Sequence, residues 1–279
     1  MLHFAYDGSI HGDWVARHAI QMATRLPEPR LRVLHIKDGQ LADTALEGGL
    51  ALIEAECALR SLPYELVVRP ARSSVAATLL GLVPPSPDEY LVCGTRARHK
   101  SRGFLAGTVS QRLLREGGCR VLSLRVMQPG LLGGPRSFLV PVSGRPEGIQ
   151  VGLPFLRLLV PEAAEVQVLL VRRMNHQRFL RMSHAEAARL IQRGQDYVVG
   201  IERSLSAELG LPLRRLDATV VPSDDLPKEI VIQANKVKAE MIYMGASIRS
   251  LRQRSVYGSP IEQVLRSAPC DVAIYGTPS

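Results

Sequence analysis

Short apolar runs alternate with longer amphipathic stretches along the first half of the chain. Apolar residues recur with helical spacing between 12 and 26, whereas Leu31–Ile36 is a compact run typical of a buried strand. The pattern predicts strands at 2–6, 31–36, 64–69, 89–93 and 120–126, and helices at 12–26, 43–60, 73–83 and 107–116. Such alternation predicts a parallel sheet covered by helices on both faces.

The second half of the chain repeats this order of elements. We expect strands at 137–142, 166–171, 213–219, 240–244 and 271–276, and helices at 147–160, 178–209, 225–238 and 258–267.

The sequences of the two halves also correspond at three landmarks. Tyr90–Thr95 pairs with Met241–Ala246, Gly107-Thr108 with Gly258-Ser259, and Cys119–Leu124 with Cys270–Tyr275, each at an offset of 151 residues. One offset shared by three separated landmarks indicates two tandem copies of one unit.

A linker joins the two copies. Residues 127–136 contain two prolines and three glycines, a composition typical of a connection between domains. We place the boundary near 130, with a first domain at 1–130 and a second at 131–279. The predicted fold class is α/β, with two tandem doubly wound five-stranded parallel-sheet domains that are Rossmann-like and related by a pseudo-two-fold axis.

Charge and composition limit the classes of binding partner that the chain can have. The formal net charge is +9, which favours anionic partners. Nucleic acid is disfavoured because no groove-reading motif accompanies the charge. No apolar stretch approaches membrane-spanning length and no signal peptide is visible, so we expect a cytoplasmic protein without membrane contact. The four cysteines form no C-x-x-C pair, and we expect them to be buried and reduced.

A candidate phosphate site lies where the last helix of the first copy begins. Gly107-Thr108-Val109-Ser110 opens that helix, whose first N–H groups have no intrahelical partner and whose dipole is positive at this end. Glycine admits a close anion, and the two hydroxyls are further donors. A solvated loop with Thr108 as an ordinary N-cap stays open as the alternative.

These residues resemble the universal stress protein family. That family carries G-x-x-G, nine residues, then G-S/T after its fourth strand. Gly94-Thr-Arg-Ala97, nine residues and Gly107-Thr108 are similar to this motif, with Ala97 in place of the second glycine. Asp7-Gly8-Ser9 resembles the opening D-x-S of the family. The resemblance covers nearly the whole chain in two tandem units.

The resemblance implies binding of ATP, or of ADP or AMP, with or without Mg²⁺, by a regulatory or stress-response protein. Asp7 would face the adenosine, and the start of the last helix would hold the phosphates. The residues that the resemblance places around the nucleotide are Ala5, Tyr6, Asp7, Ile36, Cys93, Gly94, Arg96, Ala97, Gly107, Thr108, Val109 and Ser110.

The second copy departs from the motif. Ser143 stands where the first copy has Asp7, Ile248 places a branched side chain in the loop, and Pro260 and Ile261 replace Val109 and Ser110. Each change removes a donor or an acceptor, or adds bulk. We therefore predict one nucleotide per chain, in the first domain.

Two rival functions stay open. The first is an interaction or scaffold protein that binds no nucleotide, and the second is a slow ATPase with His99 as its only candidate base. We assign no catalytic residue and no metal site, because the histidines are dispersed. The protein partner is unknown. We expect either a monomer that forms a pseudo-dimer, with 120–126 antiparallel to 271–276, or a homodimer.

Overall fold

The computed structural model describes residues 1–39, 43–95, 108–127, 129, 134–144, 146–160, 164–246 and 259–276. The chain divides into two compact units. The first comprises Met1–Gly134, Ala246–Arg252 and Ala273–Ser279, and the second comprises Pro135–Gly245 and Gln253–Val272, to the extent that the structure describes them.

The first unit is a five-stranded parallel sheet with helices between successive strands. Its strands are β1 (Leu2–Ala5), β2 (Leu31–Lys37), β3 (Tyr64–Pro70), β4 (Tyr90–Gly94) and β5 (Arg120–Arg125). Its helices are α1 (Ile10–Thr24), α2 (Asp43–Leu59), α3 (Val75–Leu82) and α4 (Val109–Glu116). The strand order is β3-β2-β1-β4-β5, with every pairing parallel. The predicted α/β alternation is confirmed.

The second unit repeats the architecture. Its strands are β6 (Ser137–Val142), β7 (Glu165–Arg173), β8 (Leu216–Ser223) and β9 (Met241–Ala246), followed by β10 (Asp271–Gly276), of which only the first two residues belong to this unit. Its helices are α5 (Pro146–Leu159), α6 (His176–Leu180), α7 (His184–Leu209), α8 (Leu226–Lys236) and α9 (Pro260–Ser267). Strands β9, β6, β7 and β8 are parallel neighbours in that order.

The strands are apolar because helices cover both faces of each sheet. Leu2 and Phe4, which lie on one face of β1, are completely buried. In a parallel sheet covered by helices on both faces, the residues that alternate with them are buried on the other face. Every residue of β10 is buried as well. All four cysteines are buried and free, as the sequence predicts. Among the described residues, no helix is both long and apolar enough to cross a membrane.

Two predicted elements of the second unit are wrong in detail. The stretch 178–209 forms two helices, because the Ser183 hydroxyl accepts a hydrogen bond from Glu186 N and starts α7 afresh. Residues Leu213–Arg215 form a single 3₁₀ turn, closed by Arg215 N donating to Pro212 O, and β8 begins only at Leu216.

The first unit also contains residues from the far end of the sequence. Ala273–Gly276 of β10 lie beside β5 in this unit. A Cβ added to Gly276 would come within 2.8 Å of the Leu114 carbonyl oxygen in α4, so only glycine permits this approach. The antiparallel direction of the pairing stays a prediction.

Candidate functional site

A pocket of about 390 Å³ opens at the carboxyl ends of the strands in the first unit. Strands β1 and β4 are neighbours, but the chain leaves β1 toward β2 and leaves β4 toward β5. This reversal is the switch point at which doubly wound sheets bind ligands. The pocket therefore lies where the fold class predicts a ligand.

Asp7 follows β1 and is held by the start of α1. Its Oδ1 accepts hydrogen bonds from Ser9 N at 3.0 Å and from Ser9 Oγ at 2.6 Å. Ser9 Oγ in turn accepts from Gly12 N at 3.1 Å, which caps α1. A Cβ added to Gly12 would lie 2.6 Å from Asp7 Oδ1, so glycine leaves room for the carboxylate. The orientation of Asp7 is thus fixed by the N-terminus of α1.

Tyr6 contributes to the pocket wall, but its hydroxyl is engaged elsewhere. The hydroxyl donates to Asp13 Oδ1 at 2.5 Å. Burial of the ring, with a further contribution from this hydrogen bond, raises the pKa of Tyr6 well above its ordinary value. The hydroxyl therefore stays protonated and anchors β1 to α1.

His35 ties the ends of β1 and β2 together at the pocket. Its Nδ1 lies 3.0 Å from the Tyr6 carbonyl oxygen, and the side chain is only 4% exposed. A carbonyl oxygen can only accept, so Nδ1 carries the proton in the neutral ring. Tyr6 N donates to Leu34 O at 2.9 Å on the same side. These bonds hold the backbone against which a ligand would lie.

The pocket is also lined by the end of β4 and the start of α4. Thr108 is the N-cap of α4, and its hydroxyl accepts from Gln111 N at 3.2 Å. Thr95 and Ser110 lie beside it and are both buried. Cys93 is buried at the end of β4, and this burial raises the pKa of its thiol to about 12. The thiol is therefore protonated and unreactive at neutral pH.

The structure brings together nine of the twelve predicted site residues. Those that line the pocket are Ala5, Tyr6, Asp7, Ile36, Cys93, Gly94, Thr108, Val109 and Ser110. Arg96, Ala97 and Gly107 lie outside the described residues, as does His99. Pocket residues that sequence reasoning did not assign to the site include Ser9, Gly12, His35, Asp38 and Thr95. Thr108 is an N-cap, as the alternative interpretation of this segment has it, and this role is compatible with an anion at the same helix end.

Metal-binding side chains are not clustered in the described part of the chain. No group of three or more His, Cys, Asp or Glu side chains there could hold a metal ion.

Comparison with known proteins gives a family match for one segment of the chain and a fold for the whole chain. Residues 215–276 match the model of the universal stress protein family. A universal stress protein from Archaeoglobus fulgidus DSM 4304 aligns with 99% of this chain and 96% of its own, at 15% identity and a TM-score of 0.60. No curated protein sequence matches the chain.

The same fold also occurs in a different setting. The cytoplasmic domain of a prokaryotic cation chloride cotransporter covers 99% of this chain and 95% of its own, at 10% identity and a TM-score of 0.59. A universal stress protein in complex with cAMP aligns with 52% of this chain and 99% of its own chain, at 14% identity and a TM-score of 0.36. A similarity this low carries no information about a ligand of this chain. Residues 215–276 therefore match the universal stress protein family, as the sequence motifs predict, and the whole chain has the fold of a solved universal stress protein.

Proposed function

We propose that the first domain, residues 1–130, binds ATP, or ADP or AMP, and that the chain is a cytoplasmic regulatory or stress-response protein. The observation that carries this proposal is the composition of one pocket. A carboxylate held by the start of α1 lies at one end, and hydroxyls at the N-terminus of α4 lie at the other. The second domain, residues 131–279, contributes no nucleotide site.

The two ends of the pocket suit the two ends of a nucleotide. A carboxylate only accepts hydrogen bonds, so Asp7 suits the hydroxyl groups of a ribose. The first N–H groups of α4 and the hydroxyls of Thr108 and Ser110 suit phosphate oxygens. Mg²⁺ would enter with the phosphates. The net charge of +9 favours such an anionic ligand.

The start of α9 in the second unit is unsuited to phosphate. Ser259 caps this helix as Thr108 caps α4, but Pro260 has no N–H group to donate. Ile261 replaces Ser110, and the buried side chain of Glu262 brings a carboxylate into the first turn. A negative side chain at this position opposes a phosphate. These residues support one nucleotide per chain.

We propose that the pocket serves a regulatory role rather than catalysis. Among the described residues that line it, Cys93 is protonated, and the His35 Nδ1 is engaged with the backbone. Neither is available to activate water through those atoms. Binding would instead change which protein partner the chain recognises. We assign no hydrolytic step to the described residues.

Calorimetric titration with ATP tests the proposal. We expect saturation near one nucleotide per chain. A Cβ added to Gly94 would lie 3.5 Å from Val15 Cγ2, an ordinary contact, so Gly94→Ala is compatible with the fold. The methyl group would project at the pocket, and we expect it to weaken ATP about tenfold, the effect of losing about 1.4 kcal/mol.

The matched control is Gly245→Ala, the equivalent change at the end of β9 in the second unit. It should leave ATP affinity unchanged. A stoichiometry near two, or equal losses from the two variants, would contradict a single site in the first domain. Absence of any ATP binding would favour the scaffold alternative.

A further inference from the structure

Helix α2 carries apolar residues on its solvent side as well as on its buried side. The buried side includes Leu46, Ile53 and Cys57. The solvent side, which we call the outer face of α2, consists of small residues and two leucines: Gly48, Ala51, Leu52, Ala55, Ala58 and Leu59. The two leucine side chains are 65% and 80% exposed. A surface helix ordinarily places polar side chains there, so packing of the first unit does not explain this face.

The spacing and size of these residues fit a second helix. Four of them lie four, three and four positions apart, which is the spacing of a coiled-coil seam: Gly48, Leu52, Ala55 and Leu59. The small residues allow a second helix to approach closely, and the leucines can insert between its side chains. Glu47 and Glu54 are exposed on the same helix. A helix that docks here should therefore carry basic side chains beside an apolar face.

The second unit has two helices at the connection that corresponds to α2. Helix α2 connects β2 with β3, whereas α6 and α7 together connect β7 with β8. The two helices are joined by an ion pair, in which Arg178 Nε and Nη2 lie 3.0 Å and 2.7 Å from Glu186 Oε1. We call residues 176–193 the basic arm. The first unit folds with one helix at this place, so the architecture does not require the arm.

The basic arm is not packed into the interior of the second unit. Helix α6 has no buried residue, and the first buried residue of α7 is Gly194. The helix therefore continues for about 15 Å before its buried part begins. Leu180 is 69% exposed and Ile191 is 38% exposed. The exposed cations of the arm are all arginines: Arg178, Arg181, Arg189 and Arg193. Glu186 is the only acidic residue in its sequence.

The outer face of α2 and the basic arm match each other in charge and in apolar surface. Each is helical and exposes large apolar side chains, and the glutamates of one surface complement the arginines of the other. We propose that the basic arm of one chain docks on the outer face of α2 in a second copy of this chain. The contact joins two different surfaces, so each chain both provides an arm and receives one. This inference is independent of the nucleotide site.

Sedimentation equilibrium of the full chain over a range of concentrations tests the contact. We expect the wild-type chain to associate as its concentration rises. The double variant Arg189→Glu/Arg193→Glu places like charges at the contact and should require a concentration higher by about tenfold or more. Glu47→Lys/Glu54→Lys should have an effect of the same size. All four side chains are exposed, so we expect urea midpoints close to that of the wild type.

The matched control is Arg203→Glu/Arg214→Glu, which changes two exposed arginines outside the basic arm. It alters the net charge by the same amount as the variant of the arm. It should associate like the wild type, because only the local charges at the contact matter. An equal effect of both arginine variants would assign association to net charge and would overturn the proposal.

An equal mixture of the two charge-reversed proteins is the decisive measurement. The acidic arm of one protein then meets the basic α2 of the other, and the unchanged arm and α2 of the mixture also match. We expect the mixture to associate at nearly the wild-type concentration, although neither protein does so alone. A mixture that associates no better than its components would contradict a contact between the arm and α2.

The apolar part of the contact is tested by Leu59→Gln. Loss of a leucine buried at the contact should weaken association by about tenfold. The control is Leu213→Gln, at a side chain that is 55% exposed outside both surfaces, and it should have no effect.

Two further results would overturn the proposal. Association weakened by Leu59→Gln but not by Arg189→Glu/Arg193→Glu would mean that α2 pairs with α2 of the second copy. A wild-type chain that stays single at every concentration would show that neither surface binds a second copy.

Discussion

Gly48 and Gly49 are neighbours in α2 with different surroundings. A Cβ added to Gly49 would come 1.8 Å from Tyr6 Oη and 3.0 Å from Cζ of the same ring. A Cβ added to Gly48 would meet nothing within 4 Å. Gly49 is therefore the point at which α2 packs on the side chain that anchors β1, whereas Gly48 has no such role.

Substitution of these two glycines should have opposite effects. Gly49→Ala is expected to lower the free energy of unfolding by about 1–3 kcal/mol through overpacking. Gly48→Ala should raise it by up to about 1 kcal/mol, because alanine favours the helix. Urea denaturation measures both. In a Tyr6→Phe background the closest atom is gone, so Gly49→Ala should cost less there. An unchanged cost would show that the clash lies elsewhere.

The site residues divide according to what a sequence can reveal. Asp7, Gly94 and Thr108 were predicted because each follows an apolar run at a motif spacing. The hydrogen bond between Thr95 and Ser123 could not be predicted, because Thr95 directly follows β4, Ser123 lies 28 positions later in β5, and only the register of these strands brings them together. Ser123 interrupts an apolar run without any local sign of a polar partner.

His3 is the buried polar residue at the start of β1, far in sequence from its partner. Its Nε2 lies 2.8 Å from Glu89 Oε2, while Nδ1 is buried without a hydrogen bond in the described structure. Burial lowers the pKa of His3 below 6.5, although Glu89 acts in the opposite direction. Arg32 and the N-terminal amino group also oppose protonation.

This arrangement predicts that acidification weakens the packing of β1 and β4. With a lowered pKa in the folded state, the unfolded chain binds the proton first as pH falls through 6.5. The stabilisation is thus complete above that pH and is lost toward the lower pKa of the folded state. Urea midpoints between about pH 8 and pH 5 measure the slope, and His3→Gln should reduce it. The same slope in this variant would assign the effect to other groups.

The order of helices and strands could be predicted from apolar periodicity, but the break between α6 and α7 could not. Periodicity continues from 178 through 209, so a single helix was predicted. The structure starts α7 at His184 because Ser183 and Glu186 have the spacing of a capping box. This local hydrogen bond outweighs the periodicity.

The two units differ in the residues that begin α4 and α9 more than in their architecture. Because a ligand stabilises only the state and the unit that bind it, ATP should raise the stability of the first unit alone. At a free concentration of one hundred times the dissociation constant the gain is about 2.7 kcal/mol. Hydrogen exchange should show added protection in β1, β2 and β4. Equal protection in β6 and β9 would indicate a second site.

Tandem architecture was predictable because one offset links three landmarks. The assignment of Ala273–Gly276 to the first unit agrees with the expectation that 271–276 lies beside 120–126. The close approach of Gly276 to Leu114 could not be predicted, because it is a property of packing.

That assignment has a consequence for synthesis on the ribosome. The main body of the first unit ends at Gly134, and the residues that complete it emerge about 140 positions later. At translation rates of about 5–20 residues per second, the nascent unit waits on the order of ten seconds or more for them. During that interval the surface that receives Gly276 is open to other chains and to chaperones. Efficient expression of this protein should therefore depend on how quickly its second half is translated.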